Sequence, residues 1–201
     1  MFKIKNRYSG STKAFYVTHN LVICAMMAAL SIVLSYTTSF YITPHIKIGF
    51  SGLPNRLVDF LFGPIVGCLF GGIMDVIKFF IKPDGAFFFG YTLSAMLGGL
   101  IYGTFFYRIP VKRSPDNSFS GIIKLNIQAI LLILIAETLV KLLVNCGLNT
   151  LWSAMMTGKA FLAILPLRLT KNLIQIPVDT VLHFCLIFMF QRLRRYLMPE
   201  Q

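Results

Sequence analysis

Residues 49–103 read GFSGLPNRLVDFLFGPIVGCLFGGIMDVIKFFIKPDGAFFFGYTLSAMLGGLIYG, and this stretch decides the class of the protein. Apolar runs alternate there with breaks at Gly63-Pro64 and at Pro83-Asp84-Gly85. A membrane protein accepts interrupted helices and buried charge only where the polar groups face protein or a cavity instead of lipid. The stretch therefore predicts a polar site inside a membrane protein. Its charged residues within the apolar runs are Arg56, Asp59, Asp75 and Lys78.

The whole chain has the composition of a membrane protein. Of its 201 residues, 56% are hydrophobic and only 13% are charged, whereas soluble domains carry about 25% charged residues. We expect an all-α integral membrane bundle that forms a single domain over residues 1–201, since the apolar segments are too long and too numerous for one buried core. The net charge of +12 is typical of the basic flanks that orient membrane helices, so no nucleic acid partner is expected.

The cysteines give no sign of a metal site. They lie in or beside apolar segments without CxxC spacing, which is typical of small packing residues. Neither a metal nor a cofactor is therefore expected. The cysteines are Cys24, Cys68, Cys146 and Cys185.

Six transmembrane helices are predicted, separated by polar segments such as the polar-aromatic loop 37–51. Residues 52–81 would measure about 45 Å as one helix, which exceeds a hydrocarbon core of about 30 Å, and Gly63-Pro64 divides them into two. The first of these two helices is short for a full crossing of the membrane. The helices cover about 14–36, 52–63, 64–82, 86–107, 121–144 and 159–196.

Basic residues predict that both termini are cytoplasmic. With six crossings, the N-terminal tail, the loop 108–120 and the C-terminal end share one side and hold ten basic residues, against three in the opposite loops. Cytoplasmic loops carry the excess of Lys and Arg.

Under this topology most polar intramembrane residues share the outer half of the bundle, together with several aromatic rings. Such a combination predicts an outward-facing pocket that suits a planar heterocycle with an anionic group. A belt of interfacial aromatics is the alternative for the rings, and His45 is only a loop residue. The candidate ligand-binding residues are Arg168, Trp152, Phe89, Tyr91, Lys78, Asp75, Asn172 and His45.

Arg168 is the strongest of these candidates, because it lies deep in the apolar run LAILPLRL (162–169) and an intramembrane charge marks a functional site by default. Spacing offers a simpler explanation for others. Asp75 and Lys78 are three residues apart, and Glu137 and Lys141 are four apart, so each pair can neutralise itself within one helix.

Small residues recur at intervals of four. Ala25 and Ala29 form such a face on the first helix, which is terminal in the chain, and a face of this kind allows close approach of another helix or subunit. Glycines repeat the spacing at 63, 67 and 71 and again at 99 and 103, where packing within the bundle explains them.

Together these features resemble the S components of energy-coupling factor transporters, and most closely the folate-specific branch. The resemblance covers nearly the whole chain, and its most specific part is KPDGAFFFGYTLSAMLGGLIYG (82–103). Asp84 and Ala86 depart from the branch within the loop. The other matching parts are Ala25-xxx-Ala29, LFGP (61–64) and LPLRLTKNLI (165–174).

The resemblance implies a non-enzymatic subunit in the plasma membrane of a bacterium that binds folate from outside. It would dock through Ala25 and Ala29 on a transmembrane coupling subunit (EcfT-like) carrying two ATPase subunits, and topple to deliver the vitamin inward. The sequence lacks a GxxxxGK[ST] loop, so ATP hydrolysis falls to the partners.

Folate chemistry matches the candidate residues. Phe89, Tyr91 and Trp152 offer stacking surfaces, and Arg168 suits a bidentate grip on the glutamate carboxylates, with Lys78 adding positive charge. Asp75 or Asn172 would pair with the pterin edge.

Three alternatives remain open at this stage. The first is an S component for another vitamin, such as riboflavin or thiamine. The second is a small intramembrane enzyme in which Asp75 and Asp179 form an aspartyl pair or His183 acts as a base, although GxGD, HExxH and GxSxG patterns are absent from the sequence. The third is a scaffold subunit without a small-molecule ligand.

Overall fold

The computed structural model describes residues 18–37, 39–43, 46–81, 86–107, 109, 111, 119–158 and 160–197. These residues form helices, one short hairpin and brief connecting segments. The helices are α1 (Thr18–Thr37), α2 (Leu53–Phe62), α3 (Pro64–Ile81), α4 (Phe89–Phe106), α5 (Phe119–Leu139), α6 (Asn149–Thr157) and α7 (Phe161–Leu197).

Five helical stretches of the described chain are long and apolar enough to cross a membrane, namely 20–37, 64–81, 89–106, 122–157 and 161–191. The helix α2 is different because its 10 residues span only about 15 Å. Its side chains Val58, Phe60 and Phe62 are at most 1% exposed. This short helix is therefore enclosed by its neighbours.

The all-α expectation is confirmed for the bundle, and a small hairpin lies in the segment that the sequence predicted to be a loop. Strands β1 (Ser39–Thr43) and β2 (Ile46–Gly49) pair antiparallel within the predicted loop, with Phe40 opposite Ile48. Aromatic and β-branched residues favour this pairing, a signal that the loop assignment overlooked. One turn of 3₁₀ helix, Phe50–Gly52, then leads into α2. The candidate His45 lies outside the described residues.

The break between α2 and α3 lies at the Gly63-Pro64 pair. Gly63 has φ 85°, a positive value that costs glycine little. Its N–H still closes α2 by donating to the Asp59 carbonyl, while Pro64 begins α3 without needing an N–H of its own. The local chemistry of two residues thus turns one long apolar run into two helices.

Helices α3 and α4 touch backbone to backbone. A Cβ on Gly99 would collide with the Gly67 carbonyl, and a Cβ on Gly71 would lie 2.6 Å from the Ala95 carbonyl oxygen. Small residues permit this approach. They also leave one side of the pair smooth, which matters for the cavity described below.

The fifth predicted helix extends beyond its predicted end. After α5 the chain continues through wide turns at Val140–Leu148, here called the wide segment, and then through α6 to Gly158. Trp152 therefore lies on a helix, whereas the sequence placed it in a loop. Such π-type turns are rare and frequent at functional sites. Gly158 ends the helix with φ 67°, a common left-handed stop.

The apolar core gathers around α2 and the C-terminal half of α4. Phe60, Phe62, Phe106, Ile133 and Ile187 are at most 1% exposed and come from α2, α4, α5 and α7. The long helix α7 contains Pro166 and Pro177 within its span.

Candidate ligand-binding site

A cavity of about 750 Å³ lies among α2, α3, α4, the wide segment and α7. Pockets for small molecules measure about 300–1,000 Å³, so one organic ligand fits. At one end, the mouth, the lining includes Gly52, Tyr91, Asn149 and Lys171; at the other, the closed end, it includes Asp59, Gly99, Tyr102 and His183. Lys171 and His183 are twelve positions apart on α7, a distance of about 18 Å, so the cavity is elongated.

The closed end is sealed by an aromatic side chain. The Phe106 ring is fully buried, and its centroid lies 5.2 Å from that of Tyr102 and 5.8 Å from that of His183. Because these two residues line the cavity and Phe106 lies behind them, the cavity ends there.

Polar side chains from four helices join at the closed end. Glu137, which is fully buried, accepts a hydrogen bond from the Tyr102 hydroxyl at 2.8 Å, and its other carboxylate oxygen lies 2.5 Å from His183 Nδ1. The Arg56 guanidinium lies 3.6 Å above the Tyr102 ring and forms an ion pair with Asp59. Buried charges are tolerated when they are paired in this way.

A second ion pair crosses the cavity wall. Lys141 Nζ, on the wide segment, lies 2.7 Å from Asp179 Oδ2 on α7. The sequence suggested that Glu137 and Lys141 neutralise each other along one helix. In the structure both pair with residues of α7 instead, Lys141 with Asp179 and Glu137 with His183.

Three of the candidate residues meet at the mouth. Arg168 donates a hydrogen bond to the Ser153 hydroxyl, whose oxygen lies 2.9 Å from the Tyr91 hydroxyl. Trp152 donates its indole N–H to the Ser94 hydroxyl at 3.1 Å. Tyr91 and Ser94 line the cavity directly. Trp152 therefore lies one side chain behind that lining, and Arg168 lies two behind it, beyond Ser153 and Tyr91.

The remaining candidates are dispersed. Asp75 lines the cavity and accepts a hydrogen bond from Thr92 at 2.8 Å. Lys78 donates to the Ser51 carbonyl at 3.4 Å, and buried Asn172 donates to the Cys146 sulfur at 3.2 Å. Phe89 is 60% exposed on the surface of α4. Asp75 and Lys78 thus each have a partner outside the pair that their spacing suggested.

The closed-end charges stand out in the sequence as intramembrane residues, but none of them was predicted to bind the ligand. The feature that could have identified them in the sequence is a charged residue inside an apolar run. Which of them meet depends on how separate helices pack, and spacing within a helix does not reveal that. The cavity residues missed as site residues are Arg56, Asp59, Tyr102, Lys141, Asn145, Asn149, Lys171, Asp179 and His183.

The carboxylates are arranged differently from an aspartyl catalytic pair. Such a pair shares one proton between two adjacent carboxyl groups. Asp179 instead pairs with Lys141, and Asp75 accepts from Thr92. Within the described part of the chain, no three His, Cys, Asp or Glu side chains converge on a metal position.

Helices of membrane-spanning length around an elongated, polar-lined cavity define a membrane protein that binds a small molecule. Comparisons with known proteins specify it further. Residues 19–187 match the family model described as ECF transporter, substrate-specific component. The chain belongs to this family, the S components of ECF transporters, whose members are transporter subunits and not enzymes.

Individual relatives extend the comparison. The chain is 34% identical over 163 residues to the "Folate transporter FolT" of Clostridium novyi (strain NT), covering 80% of this chain and 83% of that protein. It is 31% identical over 175 residues to the "Folate transporter FolT" of Leuconostoc mesenteroides subsp. mesenteroides, covering 85% of each. A solved structure, "Crystal structure of FolT bound with folic acid", matches with a TM-score of 0.67 and 26% identity over 84% of this chain and 91% of that one.

Proposed function

We propose that this chain is the folate-binding S component of an ECF transporter, which captures folate in the cavity and delivers it inward. The observation that carries the proposal is a cavity of about 750 Å³ in a fold similar to that of FolT bound with folic acid. The identities of 34% and 31% to two folate transporters support the same ligand over riboflavin or thiamine.

The flat pterin ring suits the closed end. Gly67, Gly98 and Gly99 line the cavity there, and their lack of side chains leaves a smooth wall against which a ring can lie. The Tyr102 ring, held by Glu137 on its hydroxyl and by Arg56 on its face, offers a fixed aromatic surface. Asp59 provides a carboxylate acceptor for the amino and N–H groups of a pterin, whereas Asp75, bonded to Thr92 beside Tyr91, lies nearer the mouth.

The glutamate end of folate suits the mouth. Lys171 lines the cavity there, and Arg168 is bonded to Ser153, whose hydroxyl contacts the lining residue Tyr91. These two partly exposed cations offset the two carboxylates of the ligand, while the deeper cations Arg56 and Lys141 already have carboxylate partners. In this arrangement Lys171 takes the direct role that the sequence analysis gave to Arg168.

The proposed topology has six crossings, counting α2 with the five long stretches, and both termini in the cytoplasm. The excess of basic residues on that side supports it. The mouth then opens outside the plasma membrane of a bacterium, since α4 and α7 both begin at the mouth.

Ala25 and Ala29 are exposed on α1, which leaves a small-residue face for a partner helix. We assign this face to the transmembrane coupling subunit, which would carry the two ATPase subunits.

Calorimetric titration of the detergent-purified chain with folate tests the ligand. We expect saturable binding of one folate per chain, with riboflavin and thiamine as negative controls on the same preparation. A chain that binds either control and leaves folate unbound contradicts the proposal.

A further inference from the structure

Two asparagines form a carboxamide pair on the cavity wall near the mouth. Asn145, on the wide segment, and Asn149, at the start of α6, both line the cavity. Asn149 Nδ2 donates a hydrogen bond to Asn145 Oδ1 at 3.1 Å. Asn149 Oδ1 is buried and has no hydrogen-bond partner among the described residues. A buried acceptor left in this state is unfavourable, so this oxygen is suited to a donor that arrives with a ligand or with water.

The contact between the two side chains leaves one acceptor and one donor group without a described partner on this part of the cavity wall. One oxygen and one amide group are used in the contact between the two side chains, which leaves the Asn149 oxygen and the Asn145 amide N–H groups. Reversing both side-chain amides exchanges the two roles and again leaves one donor and one acceptor. This pattern matches a ligand amide bond, which has one N–H and one C=O.

The level of the pair along the cavity agrees with the glutamate end of the ligand. Asn172 on α7 contacts Cys146, so Lys171, its neighbour, lies at the level of the asparagines. The deeper contact between Lys141 and Asp179 lies nearer the closed end. In folate, the amide nitrogen and one carboxylate are attached to the same carbon atom. A site for the amide is therefore expected beside a cation, and Lys171 supplies it.

We propose that Asn145 and Asn149 bind the amide bond that joins the aminobenzoyl ring to glutamate in folate. The buried Asn149 oxygen accepts the amide N–H, and Asn145 donates to the amide C=O. The pair selects for a ligand that carries glutamate, beyond the ring recognition at the closed end. This inference rests on the proposed function, because it requires folate in the cavity.

The test compares folate with pteroate, which has the same rings but lacks the amide and the glutamate. Affinities are measured by displacement of radiolabelled folate from purified Asn149→Leu, Asn145→Leu and wild-type protein. Wild type should bind folate more tightly than pteroate. Asn149→Leu should weaken folate about three- to tenfold, the size of one hydrogen bond, without weakening pteroate, which has no amide N–H. Asn145→Leu should weaken both ligands, because a carboxylate oxygen of pteroate takes the place of the amide C=O as the acceptor. Thr138→Val is the matched control on α5, since its hydroxyl bonds only the Leu134 carbonyl of its own helix in the described contacts.

The ratio of the two affinities separates recognition from misfolding. An Asn149→Leu protein that folds poorly loses both ligands together, and Asn149→Ala then provides the measurement. Equal losses for folate and pteroate in a folded Asn149 variant would overturn the assignment to the amide, as would unchanged folate affinity in that variant. A wild-type protein that binds neither ligand contradicts the proposed function itself, which is a different result.

Discussion

At the closed end of the cavity charged side chains are joined to one another, whereas at the mouth they are held by neutral hydroxyl and amide groups. Asp59 pairs with Arg56, and Glu137 is bonded to Tyr102 and His183. Near the mouth, Arg168 is bonded to a serine and the Asn149 oxygen remains unused within the described structure. The difference separates two tasks: paired charges fix the shape of the deep wall, and unpaired groups remain available to a charged ligand.

The largest expected effect comes from removing the centre of the closed-end cluster. Glu137→Ala leaves the Tyr102 hydroxyl and His183 without their shared acceptor in a buried site. Breaking a buried pair in this way costs about 3–5 kcal/mol. We expect a clear fall in the thermal midpoint of the detergent-purified protein without ligand, measured by fluorescence.

Thr138→Val on the neighbouring position serves as the control, because its hydroxyl bonds the Leu134 carbonyl. If both variants melt together with wild type, the cluster does not hold the deep wall.

A smaller effect is expected from filling the smooth wall. A Cβ on Gly98 would contact only Val140, at 3.9 Å, so Gly98→Ala should leave the stability unchanged. The added methyl group projects toward the ligand ring, and overpacking of this kind costs about 1–3 kcal/mol. Folate titration should show that loss of affinity, and pteroate should lose as much.

Gly147→Ala is the matched glycine control, because its Cβ would make an ordinary contact of 3.6 Å with the Leu142 carbonyl oxygen. Equal folate affinity in both alanine variants would mean that the ring lies elsewhere.

The smallest effect concerns the cations at the mouth. Lys171→Gln should weaken folate binding by about 0.5–1 kcal/mol, as expected for a partly exposed ion pair, and should lessen the dependence of affinity on salt. Arg168→Ala should weaken it less, because the guanidinium acts through Ser153. Titrations at low and high salt measure both. A larger loss for Arg168→Ala would restore that residue to direct contact with the ligand.

The sequence predicted well those features of the fold that depend on composition or on neighbouring residues. Composition indicated a helical membrane protein, and Gly63-Pro64 marked the break between α2 and α3 because one residue adopts a positive φ and the next lacks an N–H. The hairpin at 39–49 was missed because its strands are only five and four residues long. The extension to Thr157 was missed because the wide segment differs from regular helical periodicity.

The residues of the site were harder to predict from the sequence than the fold was, for a physical reason. Asp75, Tyr91 and Arg168 were singled out by charge or ring character, and the structure puts them on or just behind the cavity wall. The partners of Glu137 and Lys141 depend on the rotation of α5 and the wide segment relative to α7, which no short-range pattern records. Asn145 and Asn149 are ordinary amides, and only the cavity makes them notable.

The direct backbone contact between α3 and α4 has a consequence for biosynthesis. These helices are consecutive in the chain and make the most extensive helix contact in the described structure. A pair of neighbouring segments that interlock through glycine needs no later segment to complete its interface. We therefore expect the two to enter the bilayer as a preassembled unit during translation, on which α5 and α7 afterwards close.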